Sequence, residues 1–354
     1  MIERIAIQNF RCFSELEVSG LKRMNVIVGG NSSGKSAFLE ALFMCAGAAA
    51  PNVAFQLRAF RQLGAQIQVQ YDPAAYESLW QDLFHWMDRN KTISIVATGN
   101  SGDSRVLRVF YIATTTQTLP FGQQTIGGGG GLLPQIVFEW QRASNPPIEV
   151  KPKLTAQGLQ IEGASVDHFP IALFGLHVAD PPEDNAKRFS ELSKAGRVQP
   201  VIDAMKAEYP FVESLSIEYN NGIGMVFASL VGRKEKLPVG LISDGVNKLL
   251  SVLLAIATFP EGMILIDEFE SGFYYKRLPS IWEAVYAFAR FNEVQVFATT
   301  HSHECLHALL PALQKNAHDF CMLRAERSSP NASTIARFEG DDLLSALSKD
   351  GEIR

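Results

Sequence analysis

The sequence predicts an α/β fold: a mixed central sheet flanked by helices, with a β-rich insertion and no long coiled coil. Three patterns carry that expectation. A fully apolar run, Met24–Val28, enters a glycine-rich turn and then a helix. A second apolar run, Met263–Ile266, ends in two adjacent acids. From about Ala186 onward, strand-like and helix-like stretches alternate, the order that builds a sheet covered by helices.

Taken in chain order, Ile5, Ile7 and Phe10 mark a first strand and Phe13–Val18 alternates as a second, before the buried strand at Met24–Val28. A helix follows from about Lys35 to Met44, with Phe38, Leu39, Leu42 and Phe43 on one face. Between about Pro51 and Pro182 the chain reads as β-rich pieces cut by turn residues, among them the run Gly127–Gly131, read as a mobile loop, and Asn145-Pro146-Pro147. No sustained apolar heptads occur there, so the arms of long-armed DNA-organising ATPases are not expected. The last third predicts a helix near Phe189–Ala207, strands at Leu215–Tyr219 and Gly224–Val231, and a helix near Gly245–Thr258. It continues with the strand Met263–Ile266, a helix near Leu278–Phe291, a strand at Val294–Thr299 and a helix near Glu304–Gln314.

Composition excludes several classes. Of 354 residues 47% are hydrophobic, enough for a sizeable core. The longest strongly apolar stretch, Leu249–Phe259, is far short of the roughly 20 residues that a membrane-spanning helix needs. Met1-Ile2-Glu3-Arg4 lacks the features of a secretory signal, so a cytoplasmic protein is expected. Cys12, Cys45, Cys305 and Cys321 lie far apart with no Cys-x-x-Cys pair, which points to reduced, mostly buried thiols. A net charge of −5 argues against a broadly cationic surface holding nucleic acid, while leaving room for a local basic groove.

Gly29-Gly30-Asn31-Ser32-Ser33-Gly34-Lys35-Ser36 fits G-x-x-x-x-G-K-S between a strand and a helix, the context of a phosphate-binding loop for ATP. Glycines let successive backbone amides and the helix N-terminus face phosphates. Lys35 would reach the β- and γ-phosphates, and the Ser36 hydroxyl would ligate Mg²⁺. Asp267 and Glu268 end a buried strand: Asp267 would hold Mg²⁺, directly or through water, and Glu268 would act as general base on the attacking water. Ser243 in Leu241-Ile242-Ser243-Asp244-Gly245 either caps the next helix or does more, since Ser-Asp-Gly is also a common turn. His301, one strand after the acids, can point at the γ-phosphate edge, sensing it and helping to hold the water. His303, Cys305 and His307 lack the carboxylate or second cysteine pair of a zinc set.

With these residues placed, the chain resembles the ABC-type AAA family ATPases related to the RecF, structural-maintenance-of-chromosomes and OLD (overcoming lysogenisation defect) proteins. The resemblance rests on Ile7-Gln8-Asn9-Phe10-Arg11-Cys12-Phe13 with the Gly29–Ser36 loop, on Ser243-Asp244-Gly245, on Ile266-Asp267-Glu268 with Glu270-Ser271-Gly272, and on Thr299-Thr300-His301-Ser302. It implies a homodimer closing over sandwiched ATP, in which Ser243 and the amides near Gly245 face the γ-phosphate held by the opposite subunit. It also implies three segments: 1–50, an N-terminal lobe with the phosphate loop; 51–182, a β-rich insertion completing that lobe; and 183–354, with Ser243, the acidic pair and His301. Ser243-Asp244-Gly245 departs from the Ser-Gly-Gly-Gln of transporters. Glu339 and Asp341-Asp342 do not supply the Toprim nuclease of OLD proteins, so any nuclease would be a separate partner. The Mg²⁺-sensing glutamine usual in such enzymes stays open among Gln56, Gln62, Gln66 and Gln68.

The resemblance implies an ATP-gated dimer acting on DNA or controlling an effector, in genome maintenance or antiphage defence. The acidic balance supports an alternative, an ATP-controlled scaffold that sequesters a protein effector without touching nucleic acid. A small-substrate P-loop kinase suits the loop and leaves Ser243 and His301 unexplained.

Overall fold

The computed structural model describes residues 1–47, 79–112, 135–155, 158–163, 169–175, 181–329 and 332–348. Gly127–Gly131 and the four glutamines named above lie outside them.

The strands β1 (Ile2–Phe10), β2 (Phe13–Ser19) and β3 (Met24–Val28) lead into a helix at Lys35–Cys45. Next come β4 (Ile93–Gly99), β5 (Ser104–Ile112), β6 (Gln135–Arg142), β7 (Ile148–Thr155), β8 (Gly158–Gly163) and β9 (Ile171–Phe174). After helices at Pro182–Lys194 and Gln199–Glu208, the hairpin β10 (Val212–Asn220) and β11 (Ile223–Leu230) pairs with the short β12 (Leu237–Pro238). The helix Asp244–Thr258, β13 (Met263–Ile266), the helix Leu278–Phe291 and β14 (Gln295–Thr299) follow. Short helices at His303–His307 and Leu310–Asn316, a hairpin of β15 (Phe320–Ser329) and β16 (Ala332–Glu339), and a helix at Gly340–Ser348 complete the described chain.

The mixed sheet runs β16-β15-β3-β14-β13-β9, parallel throughout except for the antiparallel β15–β16 pair. Parallel strands are buried on both faces and so read as unbroken apolar runs. The alternation is visible in the cores they feed: Met24, Val26, Ile264, Ile266, Val296 and Ala298 face one hydrophobic cluster with the helices Asp244–Thr258 and Leu278–Phe291. Ile27, Met263, Leu265 and Phe297 face a second cluster with the helix Lys35–Cys45, which is packed beneath the antiparallel sheet β2-β1-β4-β5-β6-β7-β8. The helix Lys35–Cys45 therefore lies between two sheets, and Ala37–Cys45 is buried along its whole length.

Several boundaries differ from the sequence expectation, for identifiable reasons. The helix expected near Phe189–Ala207 is two helices, because Gly196 adopts a left-handed φ of +70° and Pro200 stands in the first turn of the second. The helix expected near Glu304–Gln314 likewise breaks, with Pro311 opening its second half. The strand expected at Val294–Thr299 starts one residue later, at Gln295, and ends at Thr299 as expected. Among the described residues the four cysteines form no disulfide, and no helix is long and apolar enough to cross a membrane.

Candidate nucleotide site

The sheet delivers its chemistry at one edge. β3 ends in the loop 29–34, whose backbone needs glycine at two places. Gly29 has φ +143° and a Cβ there would lie 2.2 Å from the Ala325 carbonyl oxygen; Gly34 has φ +108° and a Cβ there would meet Cys12 Sγ at 2.9 Å. At Gly30 a Cβ would meet nothing, so that glycine leaves the loop open rather than relieving a clash. Asn31 and Ser32 are exposed, and Ser32 is left-handed with φ +61°. Ser33 is buried, and its Oγ has no hydrogen-bond partner among the described residues.

Lys35 opens the following helix and folds back over the loop, its ammonium donating to the carbonyls of Gly29 and Gly30 at 2.8 Å each. Burial pushes its pKa down, while the carboxylates of Asp267, Glu268 and Glu270 pull it up. A polyanion entering the loop would offer that ammonium a stronger, charge-assisted partner than two neutral carbonyls. Beside it Ser36 Oγ donates to Asp267 Oδ2 at 2.7 Å, and Thr299 Oγ1 donates to Asp267 Oδ1 at 2.5 Å. The carboxylate of Asp267 is thus aligned by the first turn of one helix and the end of the neighbouring strand.

A cavity of about 700 Å³ opens over these groups, lined by Ser32–Ala37, Asp267 and Glu268. Arg11, Cys12, Asp82, Phe84, Trp86 and Met87 line it as well. Arg11 is itself held by ion pairs to buried Glu40 at 2.5 Å and to Asp82 at 3.2 Å. Removing one partner of the buried Arg11–Glu40 pair costs about 3–5 kcal/mol, which holds Arg11 in this wall.

Glu268 stands in the left-handed region with φ +49°, unusual for a residue with a Cβ. Its amide donates to Thr299 Oγ1 at 2.8 Å. Ser243 and His301 are not on the cavity wall. Ser243 is exposed and caps the helix Asp244–Thr258, accepting from the Val246 amide at 3.2 Å. At Gly245 a Cβ would meet the Gly272 carbonyl oxygen at 2.6 Å, so glycine lets this helix end lie directly on the loop after Glu268. His301 is half exposed; its amide donates to Glu270 Oε1 at 3.2 Å, and its Nδ1 lies 3.4 Å from the same oxygen. The His303 and His307 rings lie 5.0 Å apart with their planes tilted by 36°, while burial pushes the Cys305 thiol up to about 12.

Sequence reasoning missed four participants. Thr299 reads as the polar end of a strand, and its contact with Asp267 spans 32 residues. Arg11 lies in a strand-turn motif whose partners, Glu40 and Asp82, are distant in sequence. Trp86 is 63% exposed on the cavity wall, an uncommon place for so large an apolar side chain. Lys248, a lysine in a helix of apolar residues, was the readable signal: its ammonium is buried against backbone carbonyls of the loop after Glu268, and burial pushes its pKa down to about 8.

A family described as AAA domain, putative AbiEii toxin, Type IV TA system, matches residues 162–306, and one described as AAA ATPase domain matches residues 1–73. A protein of Helicobacter pylori named ATP/GTP phosphatase is 23% identical over 361 residues, spanning 91% of this chain and 92% of its own length. The crystal structure of an SmcHead bound to the C-winged helix domain of ScpA superposes with a TM-score of 0.50 at 13% identity, covering 96% of this chain and 99% of the other. At that identity the likeness is one of fold.

Proposed function

We propose that this chain, an ATP-hydrolysing enzyme built on an ABC-type P-loop fold, works as an ATP-gated homodimer whose nucleotide state controls DNA-related work or a partner effector. The observation that carries its nucleotide chemistry is the convergence of Lys35, Ser36, Asp267 and Glu268 on one cavity. Lys35 binds the β- and γ-phosphates. Ser36 and Asp267 place a hydroxyl and a carboxylate oxygen 2.7 Å apart, a hard-oxygen pair that suits Mg²⁺, which takes one or two protein ligands beside phosphates and waters. That ion would neutralise charge developing on the transferred phosphoryl group. Glu268 accepts the proton of the attacking water, and His301, steadied by Glu270, monitors the γ-phosphate edge.

The amides of the loop Gly29, Gly30, Asn31, Ser32, Ser33 and Gly34 cradle the phosphates, and Ser243 with Gly245 completes the site of the opposite subunit. Exposed Leu241, Tyr274 and Tyr275, at 75%, 56% and 54% exposure, lie in chain segments flanking that helix end and support its burial against a second copy. The division into 1–50, 51–182 and 183–354 follows from this reading, with the middle segment completing the nucleotide lobe. The likeness of residues 162–306 to AAA domains described as a putative AbiEii toxin of a type IV TA system supports the defence role. The protein partner bound to the Smc head keeps the scaffold reading in play.

Nucleotide binding has a built-in reporter. Of the four tryptophans, Trp80, Trp140 and Trp282 are buried and Trp86 lies exposed on the cavity wall, so ATP alters its emission. Lys35→Ala abolishes both that response and the ATP-dependent rise in Tm, while the nucleotide-free protein melts as before. An undiminished ATP shift in this variant removes the phosphate-loop assignment. For the partner, duplex DNA that raises the ATPase rate supports direct action on DNA. An unstimulated rate together with co-purification of the neighbouring gene's product supports the scaffold.

A further inference from the structure

The helix Asp244–Thr258 and the loop 268–272 meet at one side chain. Lys248, five residues after Ser243, donates from its ammonium to the carbonyls of Glu268 at 2.8 Å, Ser271 at 3.0 Å and Phe269 at 3.2 Å. An ammonium has three donors, so this one is committed to a single loop. Its nitrogen also lies 5.4 Å from the centre of the Phe273 ring, which follows the same loop.

The loop needs such a tie. A left-handed residue with a Cβ costs about 1–2 kcal/mol, and Glu268 has φ +49°. Conformations of that kind persist where surrounding contacts over-determine them. From the strand side, Thr299 supplies its Oγ1 to the Glu268 amide at 2.8 Å and its carbonyl to the Phe269 amide at 2.9 Å. From below, the Phe269 ring stacks on Trp282 at 3.6 Å. Lys248 adds hydrogen bonds from the helix whose N-terminus Ser243 caps. Close contact at Gly245 and Gly272 brings that helix end onto the same loop.

We propose that Lys248 is a positioning residue for Glu268, which makes the helix end carrying Ser243 and the loop carrying Glu268 one moving part. Docking of the helix end on a partner's phosphate then sets the Glu268 carboxylate of the same subunit in its working place, so the two sites of a dimer are linked through each subunit's lysine. The proposal rests on the roles given above to Ser243 and Glu268.

Lys248→Met keeps an unbranched stem of similar length and removes every donor. Its kcat falls about tenfold to a hundredfold, the range that loss of positioning produces, while the ATP concentration giving half the Trp86 response is unchanged. Lys248→Arg, which returns donors to the carbonyls, recovers part of that kcat. A Met variant with wild-type kcat and only a lower Tm overturns the proposal, as does an equal loss of kcat and ATP affinity. If Lys248→Met does not fold, Lys248→Arg carries the test: a smaller kcat loss at unchanged affinity is expected, and a wild-type kcat overturns the idea. Failure of the underlying nucleotide-site reading shows separately, as undiminished ATP binding by Lys35→Ala.

Discussion

Glu268→Gln binds ATP as tightly as the wild-type protein and turns it over at least about a hundredfold more slowly, since a general base contributes roughly 10²- to 10⁴-fold. The substitution is nearly isosteric, and it leaves untouched the hydrogen bond that the backbone amide makes with Thr299 at 2.8 Å. Asp267 keeps both of its hydroxyl partners, so the groups that would hold the metal and phosphates are undisturbed. What is lost is a carboxylate able to take a proton. Phosphate release measured alongside the Trp86 response separates turnover from binding. A Glu268→Gln protein that hydrolyses at the wild-type rate places the base elsewhere, and Glu270, beside His301, becomes the carboxylate to substitute next.

The parts of the molecule legible in its sequence are those whose cause is local. Met24–Val28 and Met263–Ile266 are strands at the expected residues because both faces are buried, which leaves continuous apolar runs. Leu278–Phe291 is a helix at the expected bounds, and Ser243 caps the following helix through the expected hydroxyl. The loop Gly29–Gly34 has its left-handed glycines at two positions of the motif. What escaped depends on residues far apart in the chain. Thr299 aligns Asp267 only because β14 lies beside β13, and Lys248 reaches the Glu268 loop only once the helix Asp244–Thr258 is packed on the sheet. The hairpin of β15 and β16 is not legible in the sequence. The former alternates only weakly, being a buried strand at its start and an exposed one at its end. The single helix expected over Phe189–Ala207 is two for a local reason legible in the sequence, since Gly196 and Pro200 stand four residues apart in the middle of it.

The central claim is that each nucleotide site is completed by the other subunit, and it turns on Ser243. Its side chain is exposed at a helix end, where it already serves as a cap. Ser243→Ala removes the cap at a cost of about 1 kcal/mol and adds no bulk, whereas Ser243→Arg obstructs any face pressed against that helix end. Both leave the subunit's own phosphate loop intact. Light scattering with ATP on the hydrolysis-deficient Glu268→Gln protein is therefore the most direct measurement: ATP shifts it from monomer to dimer, the shift needs more ATP when Ser243→Ala removes the hydroxyl, and it disappears when Ser243→Arg is added. If the Ser243→Arg double variant dimerises with ATP as readily as Glu268→Gln alone, Ser243 is a helix cap only and the composite site does not exist.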